Sequence, residues 1–231
     1  VYYLLTIMNR NKIRVLAFYL PQFHPIPEND KWYGKGFTEW TNVGKAKPLF
    51  RGHYQLRVPA DLGYYDLRVP ETRQAQADMA REYGVEAFCY WHYWFGNGRR
   101  LLERPFNEVL ESGKPDFPFC LAWANHSWRG IYNGVKTKES LIDQTYGGLS
   151  DYERHFYDVL PAFEDKRYVT VDGKPFFLIF APAEIPDSRE FIDCWQRLAA
   201  RNGLTGIHFV AHTYQPNDID NFLSMGYDAV N

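Results

Sequence analysis

Short apolar runs recur along the chain, and each is followed by polar or aromatic residues and then by a stretch with helical spacing. The runs cover 14–20 (closed by Pro21), 85–91, 117–124, 175–180, 206–212 and 227–231. Between them, 71–83 reads as a helix with Pro70 in its first turn and Gly84 ending it. A second helix spans 101–111, perturbed by Pro105. Ser150-Asp-Tyr-Glu153 and Asp187-Ser-Arg-Glu190 have capping-box spacing and open two more, the first running to about Phe163 and the second closed by Gly203. Asp172-Gly173 marks a turn before the fourth strand.

Strands that are apolar on both faces and alternate with helices predict a parallel sheet covered by helices. An open doubly wound sheet and a closed barrel share that pattern. No glycine-rich phosphate loop follows the first strand, and decorated loops follow nearly every strand, which favours a (β/α)8 TIM-type barrel. About six of the eight strands fit before Asn231, so the barrel is expected to be incomplete at its C-terminus. Residues 1–12 read as an N-terminal extension, with Met8 resembling a natural start, and 13–231 as one partial barrel domain.

Composition narrows the function. A net charge of -2 with well-mixed charges offers no stripe for nucleic acid. Aromatics make up 18% of the chain, with 7 Trp and 17 Tyr among them, and both types carry polar handles that suit an amphipathic ligand such as a sugar. Cys89, Cys120 and Cys194 form no disulfide or zinc pattern, which favours a reducing, cytoplasmic location. The apolar N-terminal stretch is too short to span a bilayer. No GxSxG elbow and no phosphate loop is present, and His208 with His212 lacks a neighbouring carboxylate, so neither a cofactor nor a metal is expected.

Barrel active sites form at the carboxyl ends of strands, where this chain gathers Gln22 and His24, then Trp40 and Asn42, Tyr90-Trp-His-Tyr-Trp94, Trp123-Ala-Asn-His-Ser-Trp128 and His212. Tyr90, His92 and Trp94 share one side of their strand and would meet a ligand if that side faced the barrel axis. Trp91 and Phe95 read equally well as core, and His53, His155 and His208 as structural. Trp40, Trp94, Trp123 and Trp128 are candidates for stacking. Asn125 and Gln144 suit hydroxyls because an amide both donates and accepts. His126 is a further contact, and Glu39 is the carboxylate best placed for chemistry. Trp94→Ala and Asn125→Ala are expected to weaken glycan binding without unfolding the domain.

The segments Phe18-Tyr-Leu-Pro-Gln-Phe-His-Pro25, Gly36-Phe-Thr-Glu-Trp-Thr-Asn42, Asp61-Leu-Gly-Tyr-Tyr65, Phe119-Cys-Leu-Ala-Trp-Ala-Asn125 and Asp172-Gly-Lys-Pro175 resemble the WbsX-type family. That family is labelled glycosyltransferase and associated with bacterial surface-polysaccharide and lipopolysaccharide biosynthesis. More distantly, the chain is similar to family-99 glycoside hydrolases, the endo-acting α-mannosidases and mannanases. The resemblance implies a barrel acting on an oligosaccharide or polysaccharide by retaining chemistry, in which one carboxylate assists the sugar's 2-hydroxyl and a second acid protonates the leaving group. Both acids are expected beyond Asn231. Many relatives carry Glu where this chain has His126. Three readings stay open: a hydrolase-like enzyme, a glycosyltransferase and a non-catalytic glycan-binding barrel.

Overall fold

The computed structural model describes residues 13–130 and 140–231. In chain order its elements are β1 (Leu16–Tyr19), α1 (Pro27–Tyr33), α2 (Glu39–Lys45), α3 (Pro70–Glu82), β2 (Ala87–Trp94), β3 (Arg100–Leu101), α4 (Arg104–Ser112), β4 (Phe119–Trp123), β5 (Trp128–Arg129), β6 (Ser140–Ile142), α5 (Leu149–Phe163), β7 (Thr170–Val171), β8 (Lys174–Ile179), α6 (Ser188–Arg201), β9 (His208–Ala211), α7 (Ile219–Ser224) and β10 (Ala229–Val230). The extension assigned to 1–12 lies outside the described residues.

Six strands form one parallel sheet in the order β1-β2-β4-β8-β9-β10. Long helices follow most of these strands, so the architecture is an incomplete TIM-like barrel. β3 and β7 fold back antiparallel on β2 and β8, while β5 and β6 form a separate hairpin in the loop after β4.

Local chemistry explains most helix ends. Pro105 sits in the first turn of α4, where a missing N–H costs nothing, and so starts that helix rather than perturbing it. Asp187 caps α6 by accepting from the Glu190 N–H. The capping box read at Ser150 does not form. α5 begins one residue earlier, after Gly148, and no side chain caps it.

One alternation positions everything else. On β2, Phe88 and Tyr90 are large while Ala87 and Cys89 are small; on β4, Phe119, Leu121 and Trp123 alternate with Cys120, Ala122 and Ala124. The register pairs Cys89 with Cys120 and Tyr90 with Leu121, so small residues share one face of the sheet and large ones the other. The large residues face the helices: Tyr90 meets Phe106 of α4, and Trp123 meets His155 of α5 and Phe191 of α6. The barrel interior therefore takes the other set.

Candidate functional site

Two layers meet at the carboxyl ends of the strands. The lower one is an aromatic ribbon on the inner face. Phe18 of β1 stacks on Trp91 of β2 with centroids 4.7 Å apart and planes 4° from parallel. Trp91 reaches Phe180, just past β8, edge-on at 5.4 Å. That contact passes over β4, where Ala122 leaves the room. Phe180 continues to the His212 ring at 5.1 Å and also packs against His126 at 5.1 Å.

The upper layer is a cleft of about 180 Å³ whose walls include Gln22, Glu39, Tyr93, His126, Trp128 and Arg129. Glu39 reaches it because Thr38 caps α2 with a reciprocal bond to Thr41, and because the Glu39 N–H donates to the Gln22 carbonyl at 3.1 Å. Gln22 Nε2 donates to one carboxylate oxygen of Glu39 at 2.8 Å, and Asn42 Nδ2 donates to the other at 3.3 Å. Two amides thus fix the carboxylate and leave its remaining lone pairs for hydroxyl donors. Burial, and secondarily the nearby Glu39, push the Tyr93 hydroxyl well above its ordinary pKa, so it stays a neutral donor. Burial lowers the pKa of His126, whose Nδ1 has no partner. Trp128 closes the far wall edge-on against Trp32, Tyr93 and Phe95.

Of the residues read from the sequence, Gln22, Glu39, Asn42, His126 and Trp128 come together here. His212 joins the ribbon, with Nδ1 3.0 Å from the Asn231 side-chain oxygen. Gln144 lies outside the cleft walls, its Nε2 donating to the Thr145 carbonyl. Trp40 braces the loop instead of facing the cleft: its Nε1 donates to the Tyr65 carbonyl, and its ring packs on Phe23, Tyr64 and Tyr65.

Several expectations need correcting. Tyr90, His92 and Trp94 face the helices, not the axis, because the barrel interior takes the small-residue side of β2. His92 Nε2 lies 2.8 Å from His155 Nε2, and Trp94 stacks on the His155 ring at 4.7 Å. Trp123 is 1% exposed, and its Nε1 donates to the Trp94 carbonyl. Asn125 is wholly buried: its Nδ2 donates to the Tyr146 hydroxyl and the Ala181 carbonyl, and its Oδ1 accepts from the Ala181 N–H. It ties the end of β4 to the end of β8 and has no free group for a sugar. His24 is buried, with Nδ1 2.6 Å from the Pro21 carbonyl. A carbonyl only accepts, so Nδ1 carries the proton, and burial lowers the pKa of this ring.

A profile of the family described as glycosyltransferase WbsX matches residues 15–231. The chain belongs to the WbsX glycosyltransferase family. Protein WxcX of Xanthomonas campestris pv. campestris, found in two strains, is 41% identical over 217 residues. The match takes in 93% of this chain and 30% of WxcX, so the chain spans about a third of the length of those relatives. Among solved structures, the family-99 endo-alpha-mannosidase of Bacteroides thetaiotaomicron aligns with a TM-score of 0.57 at 14% identity, covering 94% of this chain and 60% of that one. The same enzyme with bis-tris-propane gives 0.58 over 57% of its length. A glycoside hydrolase-like protein gives 0.54, also at 14% identity, over 94% of this chain and 56% of its own. At such identity the likeness shows the shared fold.

Sequence reasoning left Trp91 open between core and cleft, and did not single out Tyr93, Arg129, Phe18 or Phe180 of this WbsX-family chain. The signal that locates most of them is the matched small-residue parity of β2 and β4. A groove of about 590 Å³ between α3 and α4 is larger than the cleft, but it lies on the helix side of the sheet. There Glu108 is already engaged by Arg73 and Arg104. Among the described residues, no group of three or more His, Cys, Asp or Glu is arranged to hold a metal ion, and no helix is long and apolar enough to cross a membrane.

Proposed function

We propose that the strand-end cleft binds an oligosaccharide or polysaccharide and that the protein cleaves or transfers a glycosidic bond there, with hydrolase-like retaining chemistry. The observation that carries this reading is the clamped Glu39 carboxylate, set above an aromatic ribbon. A sugar ring offers C–H faces to Trp91 and Phe180 and hydroxyls to Glu39, Tyr93 and His126. Family membership and the shared fold with an endo-alpha-mannosidase support the same class of ligand.

Glycosidic cleavage normally uses two carboxyl groups on either side of the bond. Among the described residues lining the cleft Glu39 is the one carboxylate. Its two amide partners suit it to holding a hydroxyl in place, so the acid pair is assigned to chain outside this cleft. The transferase reading would use a sugar nucleotide as donor, and no glycine-rich phosphate loop favours it.

The test is to incubate the full-length protein with α-mannans and bacterial surface polysaccharides, with and without sugar-nucleotide donors. New reducing ends without a donor are expected. Product formed strictly with a donor would replace hydrolysis by transfer, and glycan binding with neither product would leave a binding barrel.

A further inference from the structure

From Trp40 to Ala60 the chain carries no carboxylate, yet it carries Lys45, Lys47, Arg51 and Arg57. All four are exposed, and none forms an ion pair among the described residues. Interleaved with them, Leu49 is 83% exposed, Phe50 67%, Tyr54 71% and Val58 64%. A single exposed apolar residue is ordinary, but a contiguous set alternating with cations of one sign is not.

The tip of this loop is built. The His53 N–H donates to the Phe50 carbonyl at 3.1 Å, and the Leu49 N–H donates to His53 Nδ1 at 3.2 Å. The two rings stack at 4.6 Å, and Gly52 takes the positive φ of +85° that the turn requires. The turn therefore holds Leu49 and Phe50 outward with Arg51 beside them. Its position is also fixed: α2 starts at Glu39 in the cleft and ends at Lys45, and the Trp40–Tyr65 bond ties the far end of the loop to the same helix. The loop and the cleft share one end of the barrel.

We propose that the 45–58 loop docks on an anionic phospholipid bilayer. Leu49 and Phe50 enter the headgroup region, while Lys45, Lys47, Arg51 and Arg57 meet lipid phosphates. Apolar tips flanked by cations are what an interfacial anchor needs, since insertion and charge attraction add. An acidic protein groove would match the cations, but it gives no reason for so many apolar tips around a single turn. The cleft then sits beside the membrane plane, and the glycan it takes is one carried at a bilayer surface. That last consequence rests on the glycan reading of the cleft, whereas the docking does not.

Flotation of the full chain with vesicles tests the docking, using phosphatidylcholine alone and phosphatidylcholine mixed with phosphatidylglycerol. Binding is expected only to the mixed vesicles, and salt should weaken it. Each cation contributes about fivefold near such a surface, so K45Q/K47Q should bind about twenty-five-fold more weakly and the fourfold Gln variant should not float. L49S/F50S should also lose binding, with its melting temperature within a few degrees of the parent because both side chains are largely exposed and only the Phe50–His53 stack is lost. Glycan affinity in solution should be the same in these variants, so a failed glycan reading would not mask the vesicle result. Equal flotation with both vesicle types, or flotation retained by L49S/F50S, would overturn the proposal. So would self-association of the chain that L49S/F50S abolishes in place of vesicle binding.

Discussion

His92 and His155 meet Nε2 to Nε2 at 2.8 Å beneath α5, so one ring donates and the other accepts. Burial holds both pKa values well below the ordinary 6.5, so both rings stay neutral in the fold. The unfolded chain, in contrast, protonates both as pH falls through about 6.5. Below that pH the unfolded state binds more protons, so stability is full above it and declines as the pH drops. Each ring costs about 1.4 kcal/mol between about pH 7.5 and 5.5, and the slope steepens toward the lower end. Urea midpoints between about pH 7.5 and 5.5 should fall steeply, and His155→Gln should be less stable throughout but flatter with pH. An equal slope in that variant would place the pH dependence elsewhere.

Neighbouring tryptophans on β2 should behave oppositely. Trp94 is 2% exposed and stacked on His155, so Trp94→Ala should cost about 3–5 kcal/mol of stability. Trp91 lies on the inner face between Phe18 and Phe180, and Trp91→Ala should chiefly weaken glycan binding, by about 1 kcal/mol. Thermal melts paired with binding titrations separate the two effects. A binding defect confined to Trp94→Ala would mean the strand faces the other way.

Asn125 makes three side-chain hydrogen bonds, two to Ala181 at the end of β8 and one to the Tyr146 hydroxyl. Asn125→Ala leaves the Ala181 N–H and carbonyl without these partners in a half-buried place, which should cost about 2 kcal/mol. Denaturant unfolding reads this directly, and a variant as stable as the parent would show that water replaces the amide.

The strand and helix order was legible in the sequence because each element carries its own signal: apolar runs, a proline in the first turn, a glycine past the end. α1, α2 and α7 were not, since helices of six or seven residues lack a full amphipathic repeat. Glu39, Gln22 and Asn42 were each legible as candidates because they follow one strand end, but the bonds that join them were not. The facing of β2 was misread by the attraction of Tyr90, His92 and Trp94, three residues with polar handles in one parity. Large side chains went instead to the roomier helix layer, as the alternation of Phe119 to Ala124 on β4 also indicates. Asn125 was misread for a related reason: an amide that suits a sugar hydroxyl suits a strand end equally well, and only its three-dimensional partners tell the two apart.

Glycan binding in the cleft should depend on the Glu39 carboxylate. Glu39→Gln keeps the size of the side chain but exchanges an acceptor-only carboxylate for an amide that faces the donors of Gln22 and Asn42. Calorimetric titration of parent and variant with the glycan bound most tightly by the parent is the most direct test. Affinity should fall by about tenfold to a hundredfold, the scale of one or two hydrogen bonds to a charged group, with the melting temperature within a few degrees of the parent. Equal affinity in the two proteins would contradict it.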